Sequence, residues 1–320
     1  MTFIRKRKLE GKVRYYLEQT IRLPDGKVKK ISKLLPESEA KQKNIAEKYS
    51  QYFLDKEKEL SAKFAIKKYR KDAILTEKLI SELEEMKVEY KHILKKLTEN
   101  QLKDMFDRFV CNFTYETNAI EGNSLTLKDV TIIIYEKEVI KGKSLREIYE
   151  TRNSRNVMDL ILSNKFDITK EDILKLHKLV IADTGVSIGF KKLPNFLLMR
   201  NVQTTPPEKV EAEIDELIKW YNSAKESLHP LLLAAAFHAR FEKIHPFEDG
   251  NGRVGRFLAN IILINAGYPP LIIRKTARAS YFSALSAFDN GYEDKLKRFF
   301  IEKYEQSFNN FFKVYVKYLK

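Results

Sequence analysis

The sequence predicts a mainly α-helical protein preceded by a small basic β-meander, and three observations carry that expectation. From Glu37 to Leu193 there is no proline, and the only glycines are Gly122, Gly142, Gly185 and Gly189, so the strongest helix breakers are nearly missing from a long run of chain. Apolar residues in that run recur at spacings of three and four, the period of one helix face. The first 35 residues differ. There "KVRYYLEQTIR" and "VKKISKLL" flank "LPDGK", β-formers on either side of a Pro-Asp-Gly turn.

Taken in order, residues 1–35 form the meander, with "FIRKRKLEGK" as a third strand turning at Gly11. Residues 36–100 read as a helical N-terminal region, 101–290 as a larger helical core, and 291–320 as one amphipathic C-terminal helix. Within the core, Met105, Phe106, Phe109, Val110 and Phe113 make an apolar stripe that continues to Ile120 and ends at Gly122. The stretch "FKKLPNFLLMRNVQTT", between Gly189 and Pro206, is rich in turn and strand formers and reads as a hairpin or flap. Pro206, Pro207 and Glu208 open the next helix, whose stripe is Ile214, Leu217, Ile218 and Tyr221. Leu231 to Glu242 and Gly252 to Ala266 are apolar nearly all round, as core helices are, and Gly267 and Pro269 end the second.

Composition sets the class. At 320 residues and 43% apolar content the chain can build a full-sized core and is not disordered. Its longest apolar stretches are too short to span a bilayer, and "MTFIRKRKLEGK" has no apolar run after its charges, so neither a membrane span nor a secretory signal is expected. The single cysteine, Cys111, lies in "RFVCNF" and reads as a small buried hydrophobe in a reducing cytoplasm. The net charge is +15, from 59 Lys and Arg against 44 Asp and Glu, and more than half of it falls in the first 35 residues, where eleven basic residues meet three acidic ones. That imbalance suits an acidic partner such as nucleic acid, although no recognised reading motif accompanies it.

The most informative stretch is "HPFEDGNGRVGR", His245 to Arg256. Gly250, Gly252 and Gly255 reproduce the spacing of a dinucleotide fingerprint, but that fingerprint needs a strand before it and a carboxylate about twenty residues beyond. Here "LLLAAAFHARFEKI" precedes it and reads as helix, and "PPLIIRKTARAS" follows without an acidic residue. The residues fit another use. Gly250, Asn251 and Gly252 open a helix whose free N–H groups and dipole favour a phosphate. Arg253 and Arg256 are three apart, so they share a face and can fork onto phosphate oxygens. Asp249 offers an oxygen to Mg²⁺, and His245 can serve as a general base. Together these parts match phosphoryl-type transfer. His238, in the preceding apolar helix, reads as a core histidine, and His92, His177 and His229 fall in no metal-binding spacing.

This stretch resembles the Fic-domain signature H-x-F-x-D/E-G-N-G-R-x-x-R at every specified position, and the wider likeness runs from about Phe106 to Ala287. The resemblance implies a Fic-type helical bundle with a β-hairpin flap. It also implies transfer of AMP from ATP to a hydroxyl side chain of a target protein. On the matching positions, His245 would deprotonate the hydroxyl and Asp249 would hold Mg²⁺. Gly250, Asn251, Gly252 and Arg253 would bind phosphates, Arg256 would reach the γ-phosphate, and the hairpin before Pro206 would dock the target. "TNAIEGN", Thr117 to Asn123, is similar to the family's inhibitory S/T-x-x-x-E-G/N motif, so Thr117, Glu121 and Gly122 would restrain the enzyme from a helix near 105–122. In the flap "GFKKLPN" stands where a Gly-x-x-Arg type sequence is expected, and no C-terminal winged helix is recognised. Two alternatives stand beside this reading. One is the reverse reaction, removal of AMP with Glu121 orienting a water. The other is a nucleic-acid-binding protein acting through residues 1–35 with the Fic core as regulator. The oligomeric state stays open.

Overall fold

The computed structural model describes residues 2–9, 12–23, 26–197 and 202–319. Residues 1–92 and 93–320 form two compact units.

In the first unit, β1 (Thr2–Leu9), β2 (Lys12–Arg22) and β3 (Val28–Leu35) form an antiparallel sheet in that order. The expected turn residues Gly11, Pro24 and Asp25 lie outside the described residues. Helices α1 (Glu37–Ala40), α2 (Ile45–Lys48), α3 (Ser50–Lys68) and α4 (Glu77–Lys96) follow. Leu17, Ile21, Ile31 and Leu35 from one sheet face share a core with Ile45 and Phe53. A lone three-stranded sheet has little to bury on its own, and this contact makes the meander one layer of a larger unit.

The second unit is almost wholly helical. It contains α5 (Glu99–Ile120), α6 (Leu127–Thr131), α7 (Leu145–Leu162) and α8 (Lys170–Val180). The two-residue strands β4 (Phe196–Leu197) and β5 (Val202–Gln203) pair antiparallel after them. Then come α9 (Val210–Ala224), α10 (Pro230–Ile244), α11 (Asn251–Asn265), α12 (Arg278–Asp289), α13 (Glu293–Ser307) and α14 (Lys313–Tyr318).

Local sequence explains the helix starts. Thr98 with Gln101, Thr126 with Asp129, and Ser144 with Glu147 form capping boxes for α5, α6 and α7. The expected all-apolar helices are α10 and α11, which pack together with nearly every side chain buried. Phe109 and Phe113 of α5 reach Phe312 and Phe257, so the stripe read from the sequence is the face that meets the core. The single helix expected over 291–320 is α13 and α14 joined through a π-helical turn, Phe308–Phe312, whose Phe308 and Phe312 are both buried. No helix among the described residues is long and apolar enough to cross a membrane.

Candidate active site

The site is built on the six residues that connect the buried helices α10 and α11. His245 caps the C-terminus of α10 in the left-handed conformation, φ 50° and ψ 61°. For a residue with a Cβ this costs roughly 1–2 kcal/mol, so the surroundings must hold it. They do so through Phe247, which is fully buried and stacks on the His177 ring at 3.7 Å. The Phe247 amide donates to Asn251 Oδ1 at 2.9 Å, and its carbonyl accepts from Asn251 Nδ2 and Asn195 Nδ2, each at 2.9 Å. The Lys191 amide donates to the Pro246 carbonyl at 2.9 Å. The imidazole of His245 therefore leaves a pinned backbone, with Nδ1 3.4 Å from the Glu242 carbonyl oxygen and 3.9 Å from its carboxylate.

Gly250, at φ 84°, turns the chain into α11. Asp249 sits just before it. Its carbonyl meets His177 Nε2 at 3.2 Å, and its carboxylate pairs with Arg146 and lies 3.5 Å from Arg253. Burial pushes His177 down to about 4, so near neutral pH it is an uncharged support for the loop.

The first turn of α11 is already occupied by an anion from within the chain. A side chain added at Gly252 would collide with the Glu121 carboxylate, so that carboxylate rests in the space this glycine leaves open. Glu121 Oε1 is 2.7 Å from the Arg256 guanidinium, whose side chain is only 3% exposed. Arg256 also donates from Nε to Thr117 Oγ1 and from its terminal nitrogen to the Thr117 carbonyl, both at 2.8 Å. Burial alone disfavours this charge, but the Glu121 carboxylate outweighs it and holds Arg256 above its ordinary range. Arg253, equally buried, lies 3.3 Å from Glu150 of α7. Gly122, at φ 101°, follows the end of α5, and the Arg278 guanidinium holds the Ile120 carbonyl at 2.7 Å.

The structure thus brings together His245, Asp249, Gly250, Asn251, Gly252, Arg253 and Arg256 with Thr117, Glu121 and Gly122 from far upstream. Several partners have no signal in the sequence: Arg146, Glu150, His177 and Arg278 meet the site only through packing. Glu242 is different, since its place three residues before His245 puts it on the same helix face. His238 is the core histidine expected, hydrogen-bonded to the Tyr281 hydroxyl at 2.6 Å. His92 pairs with Glu57, and His229 with Tyr268. The expected hairpin corresponds to β4 and β5, and residues 198–201 lie outside the described residues. At its base the Lys191 ammonium is buried, donating to Asn195 Oδ1 at 2.7 Å and Thr204 Oγ1 at 3.0 Å.

The helical bundle thus sets a histidine beside the start of a buried helix, a place whose free N–H groups suit an anion, and a carboxylate of the same chain stands there. Residues 167–263 match the domain of the Fic/DOC family. It is 35% identical over 181 residues to the protein adenylyltransferase Fic of Drosophila sechellia, covering 55% of this chain and 37% of that protein. The protein of that name from Nematostella vectensis is 33% identical over 182 residues, 55% of this chain and 43% of its own length. The matches thus span less than half of those relatives. Among solved structures, a Fic-domain signalling protein from Bacteroides thetaiotaomicron superposes with a TM-score of 0.67 at 25% identity, over 73% of this chain and 97% of that one. Fic-1 (aa134–508) from C. elegans gives a TM-score of 0.67 at 26% identity, over 76% and 73%.

Proposed function

We propose that this chain transfers AMP from ATP to a hydroxyl side chain of a target protein, and that the carboxylate of Glu121 restrains it. The observation that carries this reading is the Glu121 carboxylate on Arg256 in the Gly252 cradle, where a phosphate would otherwise sit. The target hydroxyl oxygen attacks the α-phosphorus. His245 takes the hydroxyl proton, the bond to the β-phosphate oxygen breaks, and pyrophosphate leaves. The N–H groups at Gly250, Asn251 and Gly252, with Arg253, hold phosphate oxygens, and Arg256 clamps the γ-phosphate once Glu121 has withdrawn. The relatives named adenylyltransferase support the same chemistry.

Asp249 is suited to Mg²⁺. Its carboxylate is partly exposed at the loop edge, and no group of three or more His, Cys, Asp or Glu able to hold a metal exists among the described residues. A lone carboxylate is what Mg²⁺ takes when nucleotide phosphates supply other ligands. Bound there, the ion would neutralise charge on the leaving pyrophosphate. The hairpin of β4 and β5, fastened to the catalytic loop through Asn195, would seat the target segment. The buried free thiol of Cys111 accords with a reducing, cytoplasmic setting.

The test is incubation of the purified chain with α-labelled ATP and a cell extract. Label should enter protein, including the chain itself. His245→Ala should reduce that incorporation by about 10²–10⁴-fold while Mg·ATP still binds. Near wild-type incorporation in His245→Ala removes the base from the mechanism.

A further inference from the structure

The N-terminal unit carries a cationic surface that AMP transfer does not use. One sheet face is covered, since Leu17, Ile21, Ile31 and Leu35 pack with Ile45 and Phe53. The opposite face is organised around Glu18, whose buried carboxylate gathers Arg7 at 2.5 Å, Lys30 at 3.5 Å and Arg5 at 3.7 Å. Arg7 also lies 4.9 Å from the Tyr16 ring centroid. One internal carboxylate fixes three cations on this face and leaves a net positive charge.

The sheet also changes width. β3 ends with Leu35 opposite Tyr15, whereas β1 and β2 remain paired through Arg7↔Arg14, Lys8↔Val13 and Leu9↔Lys12. Beyond Tyr15 it is therefore a two-stranded ribbon. The ribbon bears Arg7, Lys8, Lys12 and Arg14, with Lys8, Lys12 and Arg14 exposed and no carboxylate among its described residues. Leu9 is exposed at 42% on the face of Arg7, Lys12 and Arg14, and Val13 at 45% on the opposite face beside Lys8.

We propose that this ribbon binds double-stranded DNA in the major groove, with the Glu18-centred face following the phosphates. The B-form major groove, about 12 Å wide, admits a two-stranded ribbon, while A-form RNA has a major groove too narrow for side chains to read. Lysines and arginines along the ribbon supply the phosphate-neutralising charge, and Leu9, on the face of the Glu18 cluster, is an apolar group of the kind that meets thymine methyls.

The experiment measures binding of the full chain to a short labelled duplex by fluorescence anisotropy across a salt series. Affinity should fall steeply with salt. Lys8→Gln/Lys12→Gln/Arg14→Gln removes three exposed cations without touching the Glu18 cluster, and circular dichroism verifies its fold. Its slope of log affinity against log salt should be shallower by about 2.7, and its affinity at least about tenfold lower near 0.1 M salt. A triple variant with the same charge loss elsewhere, Lys67→Gln/Lys141→Gln/Lys178→Gln, should bind as the wild type does. His245→Ala should also keep full binding, which separates this result from the transfer reaction. Three outcomes overturn the proposal: no duplex binding at about 100 µM protein in low salt, equal losses in the two triple variants, or tighter binding to anionic lipid vesicles or duplex RNA than to DNA.

Discussion

The protein holds its cations in two ways. In the loop that starts α11, Arg253 and Arg256 are 3% exposed, and each has a carboxylate supplied by another helix, Glu150 or Glu121. On the N-terminal ribbon, Lys8, Lys12 and Arg14 stand exposed. Buried cations in fixed geometry can discriminate one phosphate from another, and they are screened little by salt. Exposed cations on a strand bind a polyanion through summed charge and lose it as salt rises. Burial thus separates a site suited to chemistry from a surface suited to attachment.

The largest test of this contrast removes Asp249, the loop carboxylate proposed to hold Mg²⁺. Asp249→Ala should lower AMP transfer by about 10²-fold or more, with only part regained in excess Mg²⁺, as measured by initial rates over a magnesium titration. Full activity in chelator would take both ligand and metal out of the reaction. Next comes the carboxylate that occupies the arginine. A charge-assisted contact between the buried Arg256 and the half-exposed Glu121 carboxylate is worth about 1.5–3 kcal/mol, so Glu121→Gly should raise self-modification by one to two orders of magnitude, and Thr117→Ala by less. The gain should be lost in Glu121→Gly/His245→Ala and change little with salt. A folded, nucleotide-binding Glu121→Gly chain that is no faster than wild type would show that α5 is not the restraint.

The smallest effect belongs to a cation of a third kind. Lys191 is buried among amide, hydroxyl and carbonyl oxygens, and burial lowers its ammonium to about 8 from 10.5. Between those values the unfolded chain holds a proton that the folded chain has released, so stability should rise with pH across that window. Lys191→Met should flatten the rise in denaturant midpoint measured from about pH 7.5 to pH 10. An identical pH profile in the variant would mean the ammonium is better solvated than its burial indicates.

The loop between α10 and α11 was legible because its signals are local. The spacing from His245 to Arg256 fixes a turn, a helix start and a shared helix face without help from distant residues. An apolar stripe at helix spacing likewise marks α5, and continuous apolar runs, the second stopped by Gly267 and Pro269, mark α10 and α11. Thr117 and Glu121 could be named only through the family resemblance, since nothing local tells that α5 will lie against α11. The supports were not legible at all. His177 contacts the loop by ring stacking, Arg146 and Glu150 by projecting from α7, and such meetings depend on how whole helices pack. The narrowing of the sheet into a ribbon was hidden too, because strand composition shows neither the register nor where the third strand stops.

On the proposed function, the carboxylate in the Gly252 cradle has a consequence for how the chain would respond to nucleotide concentration. Glu121 is a tethered ligand, present at its site at an effective concentration set by the chain rather than by the cell. Any triphosphate seeking the full arginine clamp competes with an occupant that never diffuses away. Its apparent affinity in that pose is multiplied by the fraction of time the clamp stands open, a loss of roughly 10–100-fold for a contact of this strength. Substrate abundance alone is then a poor trigger. A partner that draws α5 aside by a small distance would act as strongly as a large rise in nucleotide, and helix position would then be the variable to which the proposed transfer responds.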